Sequence, residues 1–294
     1  MNSFSFVKMS GAGNDFILFD RKDNPDLMLN SLVIKKLCDR RNGIGADGII
    51  TISDNGKYDF VMEYFNADGS TGSLCGNGSR CAIKFALLTG RTKNNSVNFI
   101  SNDKVYDGKI IDEETIKFYL SEAEDLKLNF SIYAFEQSMK INYINTGSPH
   151  VVIDINNILK DVQNKIPFTN LKEVPVKEIG SEIRYLNEFA PEGTNVNFIN
   201  INNGKVAIRT YERGVEEETY SCGTGSAASA IIASINYGIK PPVTLQTLGG
   251  DELVVDFNRK ENKLENISLT GPAKIIYTGQ ISETVFNNYR SLNA

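Results

Sequence analysis

Two short cysteine-containing segments carry the residue types best suited to chemistry. Residues 75–79 are Cys-Gly-Asn-Gly-Ser and residues 222–226 are Cys-Gly-Thr-Gly-Ser, and an apolar stretch with helical spacing follows each. The N-terminus of a helix presents N–H groups and a partial positive charge, which bind anions and lower the pKa of a cysteine placed there. Glycines at such a position let a ligand approach the backbone closely. Each segment is therefore predicted to hold a reactive thiol beside a site for a carboxylate or a phosphate.

Such a pair of segments suits the inversion of a stereocentre by proton transfer. Inversion needs a base on one face of a carbon and an acid on the other, and a thiolate and a thiol can exchange these roles when the reaction reverses. The α-proton of an amino acid is weakly acidic, so two helix N-termini at its carboxylate would stabilise the charge that develops. A closed, dry cleft would strengthen that stabilisation. The chemistry requires no metal and no pyridoxal cofactor, although the sequence does not exclude a pyridoxal lysine.

The two segments also belong to an internal repeat. Cys75 and Cys222 lie 147 residues apart, half of the 294-residue chain, and the same offset places residues 58–64 over residues 205–211. A tyrosine precedes each cysteine by 11 residues, and residues 45–52 resemble residues 194–201 at an offset of 149. Chance similarity of two strand–loop–helix units is the alternative. A duplication predicts two equivalent α/β lobes that face each other, with a ligand site in the cleft between them.

Hydrophobic spacing predicts how helices and strands alternate along the chain. Helices are predicted at residues 31–40, 75–88, 156–164 and 223–237. Strands are predicted at residues 4–9, 16–20, 49–52, 58–65, 151–154, 196–201 and 206–212, with strand-rich stretches at 97–120 and 252–277. Residues 126–143 fit either type. The expected fold class is α/β, of the α+β kind, with lobes at residues 1–125 and 126–280 and a C-terminal segment at 281–294, whose last residues could join the first lobe.

Composition excludes several classes of protein. The net charge is −5 and no basic run occurs, which argues against nucleic acid and anionic membrane surfaces as partners. His150 is the only histidine, and the spacing of Cys75 and Cys81 does not build a zinc site, so no metal site is expected. The first residues lack the apolar region of a signal peptide, and no stretch of 18 apolar residues occurs. A cytoplasmic location with reduced cysteines is therefore expected.

Other conspicuous residues have ordinary structural interpretations. Cys38 and Cys81 lie at apolar helical positions, where a cysteine is a small core residue. Residues 43–48 match G-x-G-x-x-G, but a helix precedes them and a strand follows, the reverse of the order in a dinucleotide-binding fold. The sequence therefore singles out Cys75 and Cys222 among the four cysteines, and it does not predict a dinucleotide site.

In these and other segments the chain resembles the diaminopimelate epimerase family, within the superfamily of cofactor-independent two-cysteine racemases. The matching segments, spread over nearly the whole chain, are Lys8-Met9-x-Gly11-x-Gly13-Asn14-Asp15-Phe16, Gly43-Ile44-Gly45-Ala46-Asp47-Gly48, Asn66-Ala67-Asp68-Gly69-Ser70, Cys75-Gly76-Asn77-Gly78-x-Arg80-Cys81, Gly147-x-Pro149-His150, Glu212-Arg213-Gly214 and Cys222-Gly223-Thr224-Gly225. Each is modest alone, but their order is highly specific. The resemblance implies two pseudo-symmetric lobes, each a curved mixed sheet or barrel around a central helix, with the active site between them.

The resemblance also implies a role for each matching residue. Cys75 would be the proton donor and Cys222 the acceptor, with the roles exchanged in the reverse reaction. The reacting carboxylate would be held by backbone groups of Gly76, Asn77, Gly223 and Thr224. The substrate, largely at its non-reacting end, would be bound by Asn14, Asn66, Asn195, Glu212 and Arg213. No cofactor is implied.

The resemblance also assigns auxiliary roles to His150, Glu212 and Tyr277. His150 and Glu212 would lie near the site, where His150 would tune or orient a thiol. A loop histidine bonded to backbone is the alternative for His150, and a surface ion pair is the alternative for Glu212 and Arg213. Tyr277 lies near a family tyrosine linked to dimer packing, so a homodimer is expected.

Two departures from the family pattern concern specificity. The family often has Asn where this chain has Ser148, and some members have Gln where it has Gly48. The resemblance implies interconversion of LL- and meso-diaminopimelate for lysine and cell-wall precursor synthesis. The alternatives are a racemase of another amino acid, a non-catalytic amino-acid-binding protein, and a thiol redox switch with a bridge between Cys75 and Cys222.

Overall fold

The computed structural model describes residues 3–72, 74–260 and 263–286. The strands are β1 (Ser3–Gly11), β2 (Asn14–Asp20), β3 (Gly48–Ser53), β4 (Phe60–Asn66), β5 (Ser96–Ser101), β6 (Lys104–Ile110), β7 (Thr115–Tyr119), β8 (Glu124–Ala134), β9 (Gln137–Asn145), β10 (Pro149–Asp154), β11 (Leu159–Asp161), β12 (Ile166–Pro167), β13 (Asn195–Asn202), β14 (Lys205–Glu212), β15 (Glu217–Thr219), β16 (Val243–Gln246), β17 (Glu252–Lys260), β18 (Lys263–Pro272) and β19 (Lys274–Ser282). The α-helices are α1 (Ser31–Cys38), α2 (Gly76–Leu88), α3 (Val176–Arg184) and α4 (Gly223–Tyr237). Within the described ranges, no helix has the length and apolar character needed to span a membrane.

The chain divides into two compact units. The first comprises the residues up to Phe118 together with those from Gly271 onward, and the second comprises Tyr119–Thr270. In the first unit the strands pair in the order β19-β1-β2-β3-β4-β5-β6-β7. The pairs β2–β3 and β4–β5 are parallel and the others are antiparallel. Helix α1 connects β2 to β3, and α2 connects β4 to β5.

The second unit repeats this pairing scheme. Its strands pair in the order β8-β9-β10-β13-β14-β16-β17-β18, with β10–β13 and β14–β16 as the parallel pairs. Helix α3 lies between β10 and β13, and α4 lies between β14 and β16, so the helices occupy the same places as α1 and α2. The prediction of an α/β fold built from a repeated unit is confirmed.

Each unit has one helix whose surface is almost entirely buried. In α2 the residues from Gly76 to Ala86 are all buried, and the helix contacts β1, β2, β3, β4 and β6. In α4 the first ten residues are buried apart from Thr224, and most of them are Gly, Ala or Ser. The small side chains of α4 let the strands approach this helix closely. The other helices, α1 and α3, each pack their apolar face on a separate core cluster of their own unit.

Several predicted elements differ from the observed ones. The helix predicted at residues 156–164 is wrong: Asp154 accepts a hydrogen bond from the Asn156 N–H, which starts a 3-10 turn at Ile155–Asn157 that leads into β11. Residues 126–143, which fitted either type, belong to the β8–β9 hairpin. Helix α3 was not predicted, although Val176, Ile179 and Ile183 have helical spacing. The segment predicted at 281–294 extends beyond Phe286, outside the described residues.

Candidate active site

Cys75 is the residue that caps the N-terminus of α2 in the first unit. Its backbone is extended, and its Sγ accepts a hydrogen bond from the Gly78 N–H at 3.5 Å, so the thiol lies over the first turn of the helix. The predicted helix start is confirmed. A thiol at this position experiences the positive end of the helix dipole, and the first turn directs its N–H groups toward any bound anion.

Asn14 is brought to the same sulfur by the β1–β2 hairpin. The turn residues Ala12 and Gly13 have φ of 60° and 86°, and Gly11 pairs with Asn14 across the hairpin. The hairpin packs against the start of α2 because Gly11 has no side chain: a Cβ there would lie 2.7 Å from the Asn77 carbonyl oxygen. The Asn14 Oδ1 consequently lies 3.5 Å from Cys75 Sγ. An amide oxygen only accepts hydrogen bonds, so in this contact the thiol of Cys75 is the donor.

Asn66 and Gly48 are neighbours in the sheet of the first unit. They pair across β3 and β4, and the Asn66 Nδ2 donates to Ser70 Oγ at 3.0 Å. A Cβ at position 48 would lie 2.7 Å from the Tyr64 ring and 2.6 Å from the Phe65 carbonyl oxygen. The Tyr64 ring therefore occupies the space that a larger side chain at position 48 would need.

Cys222 is the residue that caps the N-terminus of α4 in the second unit. Its side chain makes no capping hydrogen bond, unlike that of Cys75, and its Sγ lies 3.7 Å from Thr224 Oγ1. The sulfur is almost completely buried, with the residue 8% exposed. The helix start lies close against β13, because a Cβ at Gly225 would be only 2.3 Å from Asn197 Oδ1. This predicted helix start is also confirmed.

His150 is completely buried and connects Asn197 to Thr224. The Asn197 Nδ2 lies 3.1 Å from His150 Nδ1 and also donates to the Val151 carbonyl at 2.8 Å, while Asn197 Oδ1 accepts from Thr210 Oγ1 at 3.0 Å. The amide orientation is thereby fixed, so His150 Nδ1 is an acceptor and the ring proton is on Nε2. The Nε2 lies 2.9 Å from Thr224 Oγ1 and donates to it.

The protonation state of His150 follows from its surroundings. Burial, assisted by the positive charge of Arg213, lowers the pKa of His150 to about 3, so the ring is neutral near pH 7. Because Thr224 Oγ1 accepts from the ring, its own proton is available to the Cys222 sulfur. A connected series of donors therefore runs from Asn197 through His150 and Thr224 to Cys222. His150 lies in β10 rather than in a loop, and its ring contacts side chains.

Asn195, Arg213 and Ser148 come together in the second unit. The Asn195 Oδ1 accepts from the Arg213 backbone N–H at 2.9 Å, and its Nδ2 donates to Ser148 Oγ at 3.2 Å. The Arg213 Nη2 lies 3.5 Å from Ser148 Oγ, and its Nη1 contacts the Glu192 carbonyl at 3.4 Å. A guanidinium beside an amide and a hydroxyl is suited to binding a carboxylate.

Glu212 precedes Arg213 in the chain. Its Oε2 accepts a hydrogen bond from Thr219 Oγ1 at 2.9 Å.

Asn197 is the residue of this region that the sequence analysis did not identify. It lies between Val196 and Phe198 in a strand whose first six residues are all buried. A buried amide requires hydrogen-bond partners, and Asn197 follows Asn195 by two residues on the same face of the strand. The spacing of Asn195 and Asn197 in a buried strand is the sequence feature that could have identified Asn197. Within the described ranges, no group of three or more His, Cys, Asp or Glu residues could hold a metal ion.

Comparison with known proteins identifies the family of the chain. A family model described as Diaminopimelate epimerase matches residues 6–124 and 142–276. A diaminopimelate epimerase of Chlorobaculum tepidum is 36% identical over 277 residues, covering 93% of this chain and 100% of that protein. One of Aquifex aeolicus is 35% identical over 295 residues, covering 95% of this chain and 98% of that protein.

Solved structures with much lower sequence identity share the fold. A phenazine biosynthesis protein of the PhzF family from Bacillus anthracis has a TM-score of 0.68 at 13% identity, covering 96% of this chain and 100% of that chain. A probable proline racemase from Agrobacterium radiobacter K84, with bound carbonate, has a TM-score of 0.68 at 14% identity, covering 95% of this chain and 93% of that chain. At these identities the likeness concerns the fold alone.

Proposed function

The chain belongs to the diaminopimelate epimerase family, and we propose that it interconverts LL- and meso-diaminopimelate by proton transfer between Cys75 and Cys222. The observation that carries the proposal is the equivalent placement of the two cysteines. Each caps the helix that connects the fifth strand in the pairing order of its unit to the sixth, in two units with the same pairing scheme. A duplicated thiol at a duplicated helix N-terminus matches a reaction that needs one acid and one base.

The two sulfur environments support different resting roles for the cysteines. At Cys75 the Asn14 oxygen accepts from the thiol and opposes the thiolate-stabilising contact of the Gly78 N–H, whereas at Cys222 the hydroxyl of Thr224 favours a thiolate. We propose that the Cys222 thiolate removes the α-proton while the Cys75 thiol delivers a proton to the opposite face of the carbon. The N–H groups at the starts of α2 and α4 would bind the adjacent carboxylate and stabilise its developing charge.

The polar cluster of the second unit supports recognition of the non-reacting end of the substrate. Diaminopimelate carries a second carboxylate and a second ammonium group. We propose that Arg213, with Asn195 and Ser148, binds that carboxylate and that Glu212 binds an ammonium group. From the first unit, Asn14 and Asn66 would add amide contacts to the substrate.

The proposal extends to the cellular context and the assembly. The reaction needs no cofactor, and we infer a cytoplasmic enzyme of lysine and peptidoglycan precursor synthesis. We also infer a homodimer, because three consecutive apolar residues of β19, namely Ile275, Ile276 and Tyr277, are exposed. Sedimentation equilibrium measures the assembly, and a particle mass near the 32.6 kDa of one chain would contradict the dimer.

The decisive experiment is proton NMR in D₂O with LL-diaminopimelate under reducing conditions. We expect deuterium to enter at one α-carbon as the meso isomer forms. L-Lysine, which lacks the distal carboxylate, tests the alternative of a racemase for other amino acids. Exchange with diaminopimelate and none with lysine supports the proposed substrate. Absence of exchange by the reduced wild-type protein would contradict the function and would fit a non-catalytic binding protein.

Single alanine substitutions test the two-thiol mechanism. We expect Cys75→Ala and Cys222→Ala each to abolish formation of the meso isomer, because each removes the proton chemistry at one face of the carbon. Cys38→Ala is the matched control, since Cys38 is buried in the α1 core cluster. Near-normal turnover in either of the first two variants would rule out the mechanism.

A further inference from the structure

Asn14 is held by an ion-pair cluster of the first unit, formed by Lys8, Asp15, Arg40 and Asp47. Strands β2 and β3 are parallel, with Phe16 opposite Gly48, so the aspartates that immediately precede these two residues are neighbours. Arg40 donates to Asp15 at 2.7 and 3.1 Å and to Asp47 Oδ1 at 2.6 Å. The Lys8 Nζ lies 2.7 Å from Asp15 Oδ2. One guanidinium thus bridges two carboxylates beside the start of β2.

Asp47 is the member of this cluster that accepts from the Asn14 side chain. Its Oδ2 accepts from the Asn14 Nδ2 at 2.6 Å and from the Asp15 backbone N–H at 3.0 Å. Burial, followed by the charge of Asp15, raises the pKa of Asp47. The Asn14 side chain, the Asp15 backbone and Arg40 all donate N–H groups to its oxygens, so the Asn14 nitrogen faces Asp47. The Asn14 oxygen is then directed to the other side, where Cys75 Sγ lies 3.5 Å away.

We propose that Asp47 is a positioning residue for Cys75, which acts through Asn14 to keep an acceptor facing the thiol. Without Asp47 the amide could rotate and present its nitrogen to the sulfur, which would favour the thiolate instead of the thiol. Asp47 thereby holds Cys75 in the proton-donor state. The inference rests on the proposed epimerase function, and it assigns a role to a residue that reaches the sulfur only through Asn14.

Alkylation of the substrate-free protein tests this positioning role. Iodoacetamide is applied at fixed pH, and peptide mass spectrometry measures the modification rates of Cys75 and Cys222 separately. We expect Asp47→Ala, which removes the acceptor for the Asn14 Nδ2, to accelerate alkylation of Cys75 by roughly 3- to 10-fold, the effect of exchanging one hydrogen bond at the sulfur. The rate at Cys222 should not change.

The matched control is Asp15→Ala, which removes one carboxylate from the same cluster but does not remove the acceptor of the Asn14 side chain. We expect it to change the Cys75 rate by less than Asp47→Ala does. In an Asn14→Ala background, Asp47→Ala should have no further effect on Cys75. Equal acceleration in both aspartate variants, acceleration that persists without Asn14, or no acceleration would each overturn the proposal.

A measurement on the wild-type protein keeps the proposal testable if Asp47→Ala does not fold. In ¹⁵N-edited NMR, the Asn14 side-chain amide should show a proton that is shifted downfield and exchanges slowly with water. Averaged, rapidly exchanging amide protons would contradict a fixed contact with Asp47. Because neither measurement needs turnover, failure of deuterium exchange with diaminopimelate and failure of these results are distinguishable.

Discussion

The two candidate catalytic sulfurs begin pentapeptides that differ only at the third residue, Asn77 or Thr224, and they have different polar neighbours. Cys75 Sγ accepts from Gly78 and lies against the Asn14 oxygen, whereas Cys222 Sγ lies against the Thr224 hydroxyl. His150 donates a hydrogen bond to Thr224 and accepts one from Asn197. The ring is neutral because burial, assisted by the charge of Arg213, lowers the pKa of His150 to about 3. The asymmetry proposed between acid and base would therefore arise from Thr224, within the second pentapeptide, and from Asn14 and His150, outside both pentapeptides.

Replacing Thr224 with valine removes the hydroxyl while keeping the size and the branching of the side chain. We expect kcat to fall by roughly 10- to 100-fold, because a hydrogen bond to a charged group contributes about 1.5–3 kcal/mol. The KM should change less, since the backbone N–H of residue 224 remains. Thr224→Ser is the matched control and should retain most of the activity. The alkylation rate of Cys222 should fall only in the valine variant. A valine variant with wild-type kcat would contradict the donor role of Thr224.

The sequence was sufficient to predict the two cysteines and the residues at matching motif positions, but not the residues that hold them in place. Cys75 and Cys222 stand out because of their helix starts and their repeat, and Asn14 and Asn195 stand out by motif position. Asn197 and Asp47 were not identified as site residues, because their importance depends on partners that lie 47 and 33 residues away along the chain. Only the pairing of β10 with β13 and of β2 with β3 brings these residues together.

At the scale of elements, the two helix starts are equivalent in position but differ in how tightly they pack. A Cβ at Gly78 would meet the Ile50 Cδ1 at 3.1 Å, which is the far end of a flexible side chain. A Cβ at the equivalent Gly225 would lie 2.3 Å from Asn197 Oδ1, which is fixed by hydrogen bonds. The close approach of α4 to β13 therefore depends on a glycine, and it also holds Asn197 against His150.

Alanine substitutions at the two equivalent glycines should have different effects. Gly225→Ala should destabilise the fold by about 1–3 kcal/mol, because the Asn197 amide must move, and turnover should fall with it. Gly78→Ala should be nearly neutral, since a higher helix propensity of about 1 kcal/mol offsets the shift of Ile50. Urea unfolding midpoints and kcat measure both effects. Equal unfolding midpoints for the two variants would show that the packing difference has no energetic consequence.

Helices could be predicted from the sequence where the hydrophobic periodicity and the helix-terminating residues indicated the same bounds. Helices α2 and α4 have apolar stretches bounded by glycine, and both were predicted. The β8–β9 hairpin remained ambiguous because its turn residues, Phe135 and Glu136, adopt φ of 51° and 55° without glycine or asparagine. Helix α3 contains Gly180, which weakens the local helical signal but is required by packing, since a Cβ there would lie 2.4 Å from Tyr211 Cβ.

At the scale of the whole molecule, the single histidine couples the candidate site to the pH dependence of stability. His150 is completely buried, and in the folded protein its pKa is about 3, whereas an unfolded histidine has a pKa of 6.5. Between these two values the unfolded chain binds one more proton at this position than the folded chain. Stability contributed by neutral His150 is therefore fully present above pH 6.5 and is lost as the pH falls toward 3.

His150→Gln isolates this effect, because the variant keeps a polar side chain but cannot titrate. Between pH 6.5 and 4.5 the wild-type free energy of unfolding should fall by about 2–3 kcal/mol more than that of the variant, at about 1.4 kcal/mol for each pH unit. Carboxylates titrate in both proteins, so the difference between the two curves reports on His150 alone. Urea denaturation at several pH values measures it, with wild type more stable at neutral pH and the gap narrowing in acid. Parallel curves would mean that His150 takes up a proton in the folded protein. That result would contradict the series of hydrogen bonds to Cys222, which requires a neutral His150.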